Sequence, residues 1–555
     1  MTDPVRDYHR RTVHHLQRYA AGPETLDWDA QPSPWRHHAG APRRWLPLTA
    51  DTLAATWAEA QTGRAAPQPL TRASLGQLFE LSFALTAWKQ LGPDRWALRA
   101  NPSSGNLHPT EAWLLLDGAA GPGLPAGLYH YLPREHALER RARLAPTADA
   151  GDRAPTLWIG LGTLLWREAW KYGERAFRYG QLDTGHALGA LRFAAAALGW
   201  QARVVTGLGH AALAARLGLD RDADHPPGVE REEPEWLLQV GPTVPAWPAA
   251  TALPPQPQRH DWRGTASRLD PRPMYRWPVL DAVTLASRST TGLPAPAEPL
   301  TSAVALPRTP SPCDAAPAAT LIRQRRSAQH FDRRATMPLA TFWRLVASIR
   351  PDPAGVPWDV WPLAPRVHAV FYAHRVDGLA PGAYLLARRD DALDLLRAHW
   401  PGMPDPHPVA AAPAGLALWR LTEHPALAGT LRTLSCHQAI ASDACVALSL
   451  LAELDDTATY RLRLQEAGLI GQQLYLQAEA EGLRGTGIGC YFDDAVHELL
   501  GLAPDGALQV LYHFTVGVPL HDPRLRSEPP YADRPDDLPD DPDGHDDHDA
   551  EDTRR

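Results

Sequence analysis

Residues 177–199, FRYGQLDTGHALGALRFAAAALG, and residues 460–482, YRLRLQEAGLIGQQLYLQAEAEG, are two versions of one pattern. Phe177-Arg178, Asp183, Gly185, Leu191, Ala195 and Gly199 recur at the same spacings as Tyr460-Arg461, Glu466, Gly468, Leu474, Ala478 and Gly482. Upstream, Gly123-Leu124, Gly127 and Tyr129 are echoed by Gly378-Leu379, Gly382 and Tyr384. The order is kept while the interval differs between the two pairs. That indicates a duplicated domain carrying one insertion; a solenoid would repeat many times at a short fixed period. In the first copy, Asp183 to Leu198 is apolar with small residues on several faces, which predicts a buried helix, and Ala467 to Glu481 predicts its counterpart.

Working outward, helical spacing of Leu75, Leu78, Phe79, Leu81, Leu85 and Trp88 predicts a helix over Thr71–Gln90. A turn-forming stretch follows over Arg99–Pro109, then strands over Ala112–Leu116, Gly127–Tyr131 and Leu237–Val240. In the second half the pattern predicts a helix from Thr320 ending at Arg323–Ser327, and helices over Leu339–Ser348 and Cys436–Glu453. Strands are expected over Val367–Ala373, Ala383–Leu386 and Leu508–Val518, with a glycine-rich loop over Gly485–Asp494. Strands and helices do not alternate regularly, so each half reads as α+β. The units span 71–245 and 320–530. Around them lie an N-terminal extension (1–70), a proline-rich connector (246–319) with an ordered piece near Trp277–Leu285, and an acidic tail (531–555). Asp536 to Asp552 is nearly all Asp, Pro, His and Gly, the composition of a solvated, disordered segment.

The formal charge is -8, with no basic stripe interleaved with aromatics, which argues against a nucleic-acid partner. No apolar run is long enough for a membrane span or a secretion signal. Cys313, Cys436, Cys445 and Cys490 are scattered, which argues against a disulfide framework or a zinc site and suits a reducing cytoplasm. Lysine occurs only at Lys89 and Lys171, the other 53 of 55 basic residues being arginine. A lysine that persists against such a bias is a candidate for a role needing a deprotonatable amine, although chance survival stays open.

Four strings carry chemistry. Arg325-Arg326-Ser327 offers guanidinium forks and a hydroxyl suited to phosphate, or is a solvated helix end. Gly485-Thr486-Gly487-Ile488-Gly489 would let the main chain approach a flat ligand, or is a tight turn; following a helix, it is no dinucleotide fingerprint. Pro102-Ser103-Ser104-Gly105-Asn106 suits hydrogen bonds to a polar ring, or is a common turn. Lys171-Tyr172 sets an amine beside a phenol, a base and an acid if burial moves both pKa values toward neutrality, or is part of a surface ion-pair segment. His186 reads as a core histidine, and Cys490 as a poor candidate nucleophile. The residues give no metal-ligating set.

Taken together these strings resemble the FMN-dependent nitroreductase superfamily, and within it the thiazoline and oxazoline dehydrogenases of SagB/ThcOx type. The first half carries Asn101 to Pro109 and Lys171 to Tyr179; Tyr8-His9, Thr12, Gln31-Pro32 and Pro34-Trp35-Arg36 resemble the opening of that branch. The second half carries Arg325-Arg326-Ser327, the Gly485–Leu500 loop, and Val516-Gly517-Val518-Pro519 followed by Arg524. The resemblance implies nitroreductase-like domains, each a mainly antiparallel sheet flanked by helices, with FMN in the interface between two of them. Here both would lie in one chain as a pseudo-dimer, which removes the concentration dependence of association. The first half lacks an arginine-serine segment and the second lacks the serine turn, so one composite site is expected and its symmetry mate has decayed.

The resemblance assigns Arg325, Arg326, Ser327 and Arg524 to the phosphate and ribityl chain, and Pro102, Ser103, Ser104 and Asn106 to the ring from across the seam. Gly487, Ile488 and Gly489 would lie along the isoalloxazine, and Lys171 and Tyr172 match the catalytic pair. Gln329 departs from the basic residue common two positions after the serine. The implied activity is dehydrogenation of an azoline in a modified peptide, with Lys171 or Tyr172 taking the proton, hydride passing to flavin N5, and dioxygen reoxidising the flavin. A nicotinamide-fed nitro or quinone reductase is one alternative. A flavin-free scaffold that recognises a precursor peptide or a peptide-modifying partner enzyme is another.

Overall fold

The computed structural model describes residues 3–120, 124–144, 155–295, 308–361, 363–389, 391–454 and 457–534. The expected disordered tail from Asp536 lies outside these residues. Each half is built on a seven-stranded antiparallel sheet. In the first the order is Arg43–Trp45, Ala137–Arg143, Gly127–Leu132, Thr110–Asp117, Thr156–Thr163, Glu233–Gly241 and Gln201–Val204. In the second it is His407–Pro408, Leu418–Glu423, Gly382–Leu386, Val367–Ala373, Val446–Glu453, Leu508–Gly517 and Arg484–Ile488. Six of the seven positions correspond in chain order, and only the first edge strand has a different origin. The duplicated Gly-x-Tyr pair also behaves identically: Tyr129 and Tyr384 each donate to the carbonyl four residues back at 2.6 Å.

The two repeated stretches are the long helices Ala176–Ala197 and Tyr460–Ala480, and they pack on each other between the sheets. Along each strand, alternate side chains face opposite cores. Ala112, Leu114 and Leu116 join the central core with the long helices, while Trp113 and Leu115 pack outward with Leu213 and Leu217 of helix His210–Leu217. The second sheet divides likewise, Ala369 and Phe371 facing inward and Val370 and Tyr372 outward.

Burial of both sheet faces explains one misreading. Val446–Glu453 is apolar at successive positions because it is a central strand covered on both sides, so the helix expected over Cys436–Glu453 shrinks to Ala439–Asp443. The helix expected over Thr71–Gln90 ends at Ser82, and Leu85–Leu91 is a strand. Tertiary pairing decides it: this strand lies between Asp94–Arg99 and a C-terminal strand, Arg526–Glu528. The expected loop over Gly485–Asp494 begins as the edge strand Arg484–Ile488.

The halves are interlaced. Helix Pro4–Arg11 sits on the second half, where the His9 ring meets Tyr460 Oη at 3.2 Å and Gln509 Oε1 at 3.1 Å. It also packs against helix Pro278–Ala286 of the connector. Tyr531, just past the C-terminal strand, donates to Pro133 O (2.6 Å) and accepts from Leu85 N (3.0 Å) in the first half.

At the centre of the seam the helices touch through glycine. A Cβ on Gly185 would lie 2.0 Å from Gln465 O, and one on Gly468 would lie 2.0 Å from Leu182 O. Neither backbone can yield without moving a whole helix. Gly185→Ala is therefore expected to cost about 1–3 kcal/mol by overpacking and to lower the thermal midpoint. Gly429→Ala, at an exposed position of helix Leu427–Leu434 with nothing within 4 Å, should be neutral or stabilising. Equal thermal midpoints for Gly185→Ala and the parent would contradict this reading of the seam.

Candidate functional site

A cavity of about 320 Å³ opens at the seam. The first half contributes Pro102, Ser103, Ser104, Asn106 and Tyr172; the second contributes Ser327, Gly487, Ile488 and Gly489. Residues forecast from strings more than 150 positions apart in the chain thus line one space.

The polar groups of the turn at Ser103–Asn106 are engaged by the surrounding protein. Ser104 donates from its amide (3.0 Å) and hydroxyl (2.9 Å) to Asp183, Asn106 donates to Ala97 O (2.9 Å), and Ser103 Oγ accepts from His108 N (2.8 Å). Gly105, Asn106 and His108 all hold positive φ, a strained backbone of the kind that clusters at functional sites. Lys171 and Tyr172 end the helix Leu165–Tyr172 and close on this turn. A Cβ on Gly105 would lie 2.5 Å from Tyr172 Oη and 3.1 Å from Lys171 Nζ. Glycine is therefore the residue that fits beneath this pair.

The electrostatics separate the two members. Burial lowers Lys171, partly offset by Glu168, so the amine loses its proton more readily than an ordinary lysine. Burial raises the Tyr172 phenol well above its usual value, reinforced by Glu168, so it keeps its proton. Glu168 is fully buried, neither carboxyl oxygen has a hydrogen-bond partner among the described residues, and burial and then Asp183 push it well up. Asp183 is itself raised to about 7 by burial, despite the bonds from Ser104.

Across the seam, Arg325 and Arg326 turn toward main-chain carbonyls. Arg325 donates to Ala100 O (3.2 Å) and Arg99 O (3.1 Å), and Arg326 to Thr86 O (2.9 Å), so both brace the first half against the second. Burial lowers Arg325, and burial together with Arg325 and Arg484 brings Arg326 down to about 10. Lys89 is lowered by burial and by Arg326 and Arg484. Arg325, Arg326, Lys89 and Arg484 thus act on one another without lining the cavity, and Glu479 lies 3.7 Å from Arg484. Arg325 is buried and the other three are half-buried, and the cluster has the sign of charge that a phosphate needs. Lys89 and Arg484 were not foreseen. Arg524, assigned to the phosphate by resemblance, is exposed, paired to Asp522 at 2.7 Å, and does not line the cavity.

The glycine-rich strand also differs from expectation. A Cβ on Gly487 would lie 1.7 Å from Tyr512 Oη, and one on Gly489 would lie 1.9 Å from the Tyr179 ring. These glycines make room for tyrosines and also line the cavity. Tyr475 Oη accepts from Gly487 N (3.0 Å) and shares a hydrogen bond with Ser327 Oγ (2.8 Å). Tyr172, Tyr179, Tyr475 and Tyr512 make the walls aromatic, with His186 bonded to Tyr512 Oη at 3.1 Å. His186 is buried as expected, yet it also lines the cavity. Cations with hydroxyls beside aromatic walls form a set that fits a phosphorylated planar heterocycle.

Buried ion pairs fix the second half's loop to the first half. Arg175 and Arg178 donate to the two oxygens of Asp493 at 3.0 and 2.8 Å, and Arg175 also donates to Gly489 O at 3.1 Å. Burial alone would raise Asp493, but the two guanidiniums outweigh it and hold the carboxyl well below its usual range.

The symmetry-related place is filled. Arg192, Arg203 and Trp236 stand there in the positions of Tyr475, Thr486 and Tyr512. Asp359 takes two bonds from Arg192 (2.7 and 2.8 Å) and one from Arg203 (2.8 Å), and Trp361 packs on Trp236 at 5.9 Å. Comparing the two copies position by position is the sequence signal that would have marked Tyr475 and Tyr512 as site residues.

Cys436 and Cys490 form a disulfide with Cα atoms 6.0 Å apart, which corrects the expectation drawn from their spacing. A separation of 54 residues hides a contact made only by the fold. Among the described residues no helix is long and apolar enough to cross a membrane. His38, His130 and Glu139 cluster in the first half, but Glu139 Oε1 already accepts from both rings at 2.6 and 2.8 Å, as in a hydrogen-bonded chain.

Asp493→Asn should cost about 3–5 kcal/mol by leaving two buried guanidiniums without their carboxylate. In the parent, Asp493 is depressed relative to the unfolded chain. Its stabilisation is whole above about pH 4 and is lost on acidification. Urea midpoints across pH should show that loss in the parent and a flatter acid limb in Asp493→Asn; identical profiles would contradict the assignment.

The profile of the Nitroreductase family matches residues 65–229 and 322–518. A search of curated protein sequences gives no match. Among solved structures, one from Anabaena variabilis ATCC 29413, assigned as a nitroreductase, is similar over 94% of this chain and 100% of its own, with 20% identity and a TM-score of 0.65. The Escherichia coli microcin synthetase McbBCD complex, bound to truncated pro-MccB17, aligns over 44% of this chain and 95% of its own at 19% identity and a TM-score of 0.26. The NADPH:FMN oxidoreductase of Vibrio harveyi aligns over 36% and 66% at 16% identity and a TM-score of 0.21. Two profile matches in one chain, on two sheets of one topology, establish that the protein is a tandem member of the nitroreductase family.

Proposed function

We propose that the seam cavity binds one FMN and that the protein is a dehydrogenase of SagB/ThcOx type, oxidising an azoline ring in a modified peptide to the azole. The observation that carries this reading is the meeting of Lys171 Nζ and Tyr172 Oη at Gly105, where Gly105 and Tyr172 line a cavity together with Ser327 and Gly487–Gly489. Arg325, Arg326, Lys89 and Arg484 supply the positive field for the phosphate, and Ser327 a hydroxyl beside it. Pro102, Ser103, Ser104 and Asn106 border the ring from the first half, with Ile488 facing them. FMN, when bound, supplies a two-electron acceptor.

Lys171 is the base. Burial lowers its pKa, so more of the amine is free at a given pH than in an ordinary lysine, and the ring-carbon proton passes to Nζ. Tyr172 stays protonated and donates a hydrogen bond in the same space. The Trp28 ring lies 5.5 Å from Lys171 Nζ, within reach of a cation–π contact with the protonated amine.

Lys171→Ala should slow azole formation about 10²–10⁴-fold while FMN remains bound, read by product mass and flavin absorbance. Since the amine must be neutral to act, the parent rate should fall as pH drops through a limb below the ordinary lysine range. Undiminished azole formation by Lys171→Ala would refute the base. Rapid bleaching of bound flavin by NADPH without any peptide would point to a reductase instead.

A further inference from the structure

We propose that Cys436 and Cys490 are a redox-active pair in the cavity wall that exchanges two electrons with the bound flavin. The inference rests on the FMN reading of the cavity and adds a second redox centre to it.

Cys490 follows Gly489 directly and lines the cavity. Cys436 lies in the turn between helices Leu427–Leu434 and Ala439–Asp443, and the fold brings the two cysteines into a disulfide. A structural staple is not needed there. Phe492 N already donates to Leu434 O at 2.8 Å, and Gln438 Nε2 donates to Cys490 O at 3.2 Å and Ser435 O at 2.9 Å. The same two segments are thus joined without the sulfurs.

Backbone strain points the same way. Among the described residues, non-glycine positive φ occurs at Asn106, His108, His136, Cys436 and His437. Four of those five lie in the two turns that flank the cavity. Cys436 itself sits at φ 53, a conformation an L-residue keeps only where the surroundings enforce it.

Access completes the case. Cys436 and Cys490 are both half-buried, whereas Cys445 is fully buried. A small thiol can reach the pair from solvent while Cys490 meets the cavity. Arg175 donates to Gly489 O at 3.1 Å, which fixes the main chain next to Cys490.

The chemistry balances simply. In the dithiol form both S–H bonds break and one S–S bond forms, releasing two electrons and two protons. The oxidised flavin takes both electrons and at least one proton, and any remaining proton goes to solvent. Two molecules of a small thiol then restore the dithiol by exchange, leaving as their own disulfide.

The test uses full-length FMN-free protein, reduced with dithiothreitol, freed of it without air, and mixed with one equivalent of oxidised FMN. Flavin fluorescence reads binding, visible absorbance reads flavin reduction, and alkylation in denaturant followed by intact mass counts thiols. The expected result is binding, loss of yellow colour, and a fall from four alkylated cysteines to two. Cys436→Ser should bind FMN, stay yellow and keep three, and Cys490→Ser should do the same. Bound FMN that stays yellow over four intact thiols would overturn the pair, as would bleaching of Cys436→Ser at the parent rate. If fluorescence shows no binding, the cofactor reading fails and the pair loses its partner with it, an outcome distinct from binding without thiol loss.

Discussion

The contact of Gly185 and Gly468 at the crossing of the two long helices is the constraint on which the molecule depends. Each glycine lies against the main chain of the other helix, so the distance between the halves is set by backbone and not by adjustable side chains. Polar residues near this crossing then act across the seam. Gln181 and Gln465 bond to one another and to Glu235, and Asp183 and Glu466 grip the segments beside them. A slightly wider crossing would separate the serine turn from Ser327 and leave two half-sites.

Within that frame the two halves have diverged in a complementary way. At matching positions of the long helices, Asp183 holds the serine turn, whereas Glu466 accepts from the amides of Arg366 and Val367 and from Arg388. Tyr475 leaves a cavity on one side, and its counterpart Arg192 is locked to Asp359 on the other. A buried pair of this kind contributes little net stability over an apolar filling. Its consequence is to occupy space that a second ligand would need. The N-terminal helix and the connector helix, which read in the sequence as peripheral, pack on each other and on the opposite halves, so neither half is complete without the other's segments.

Much of this was legible because duplication is a sequence property that survives divergence. The repeated glycines and the Gly-x-Tyr pair located both sheets and both central helices, and the unlike polar strings named residues of both halves that line one cavity. What stayed hidden depended on the third dimension. Val446–Glu453 looks helical because both faces of its sheet are buried, and Leu85–Leu91 is a strand because a segment more than 400 residues later pairs with it. Arg484 and Lys89 join the cation cluster through strand packing, with no local motif to announce them. Arg524 fits the family pattern by order alone and is drawn away by Asp522 two residues before it. The glycines of the edge strand were read for open space, and Tyr512 and Tyr179 fill part of it.

The central claim is one ligand-binding seam per chain, with its mate closed by Asp359. The direct measurement is the ratio of tightly bound FMN to polypeptide after reconstitution and desalting, taken from flavin absorbance and protein mass. A ratio near one in the parent, unchanged in Arg192→Lys, is what the account predicts. A ratio near two would show the second site open, and a colourless protein would contradict the composite site altogether.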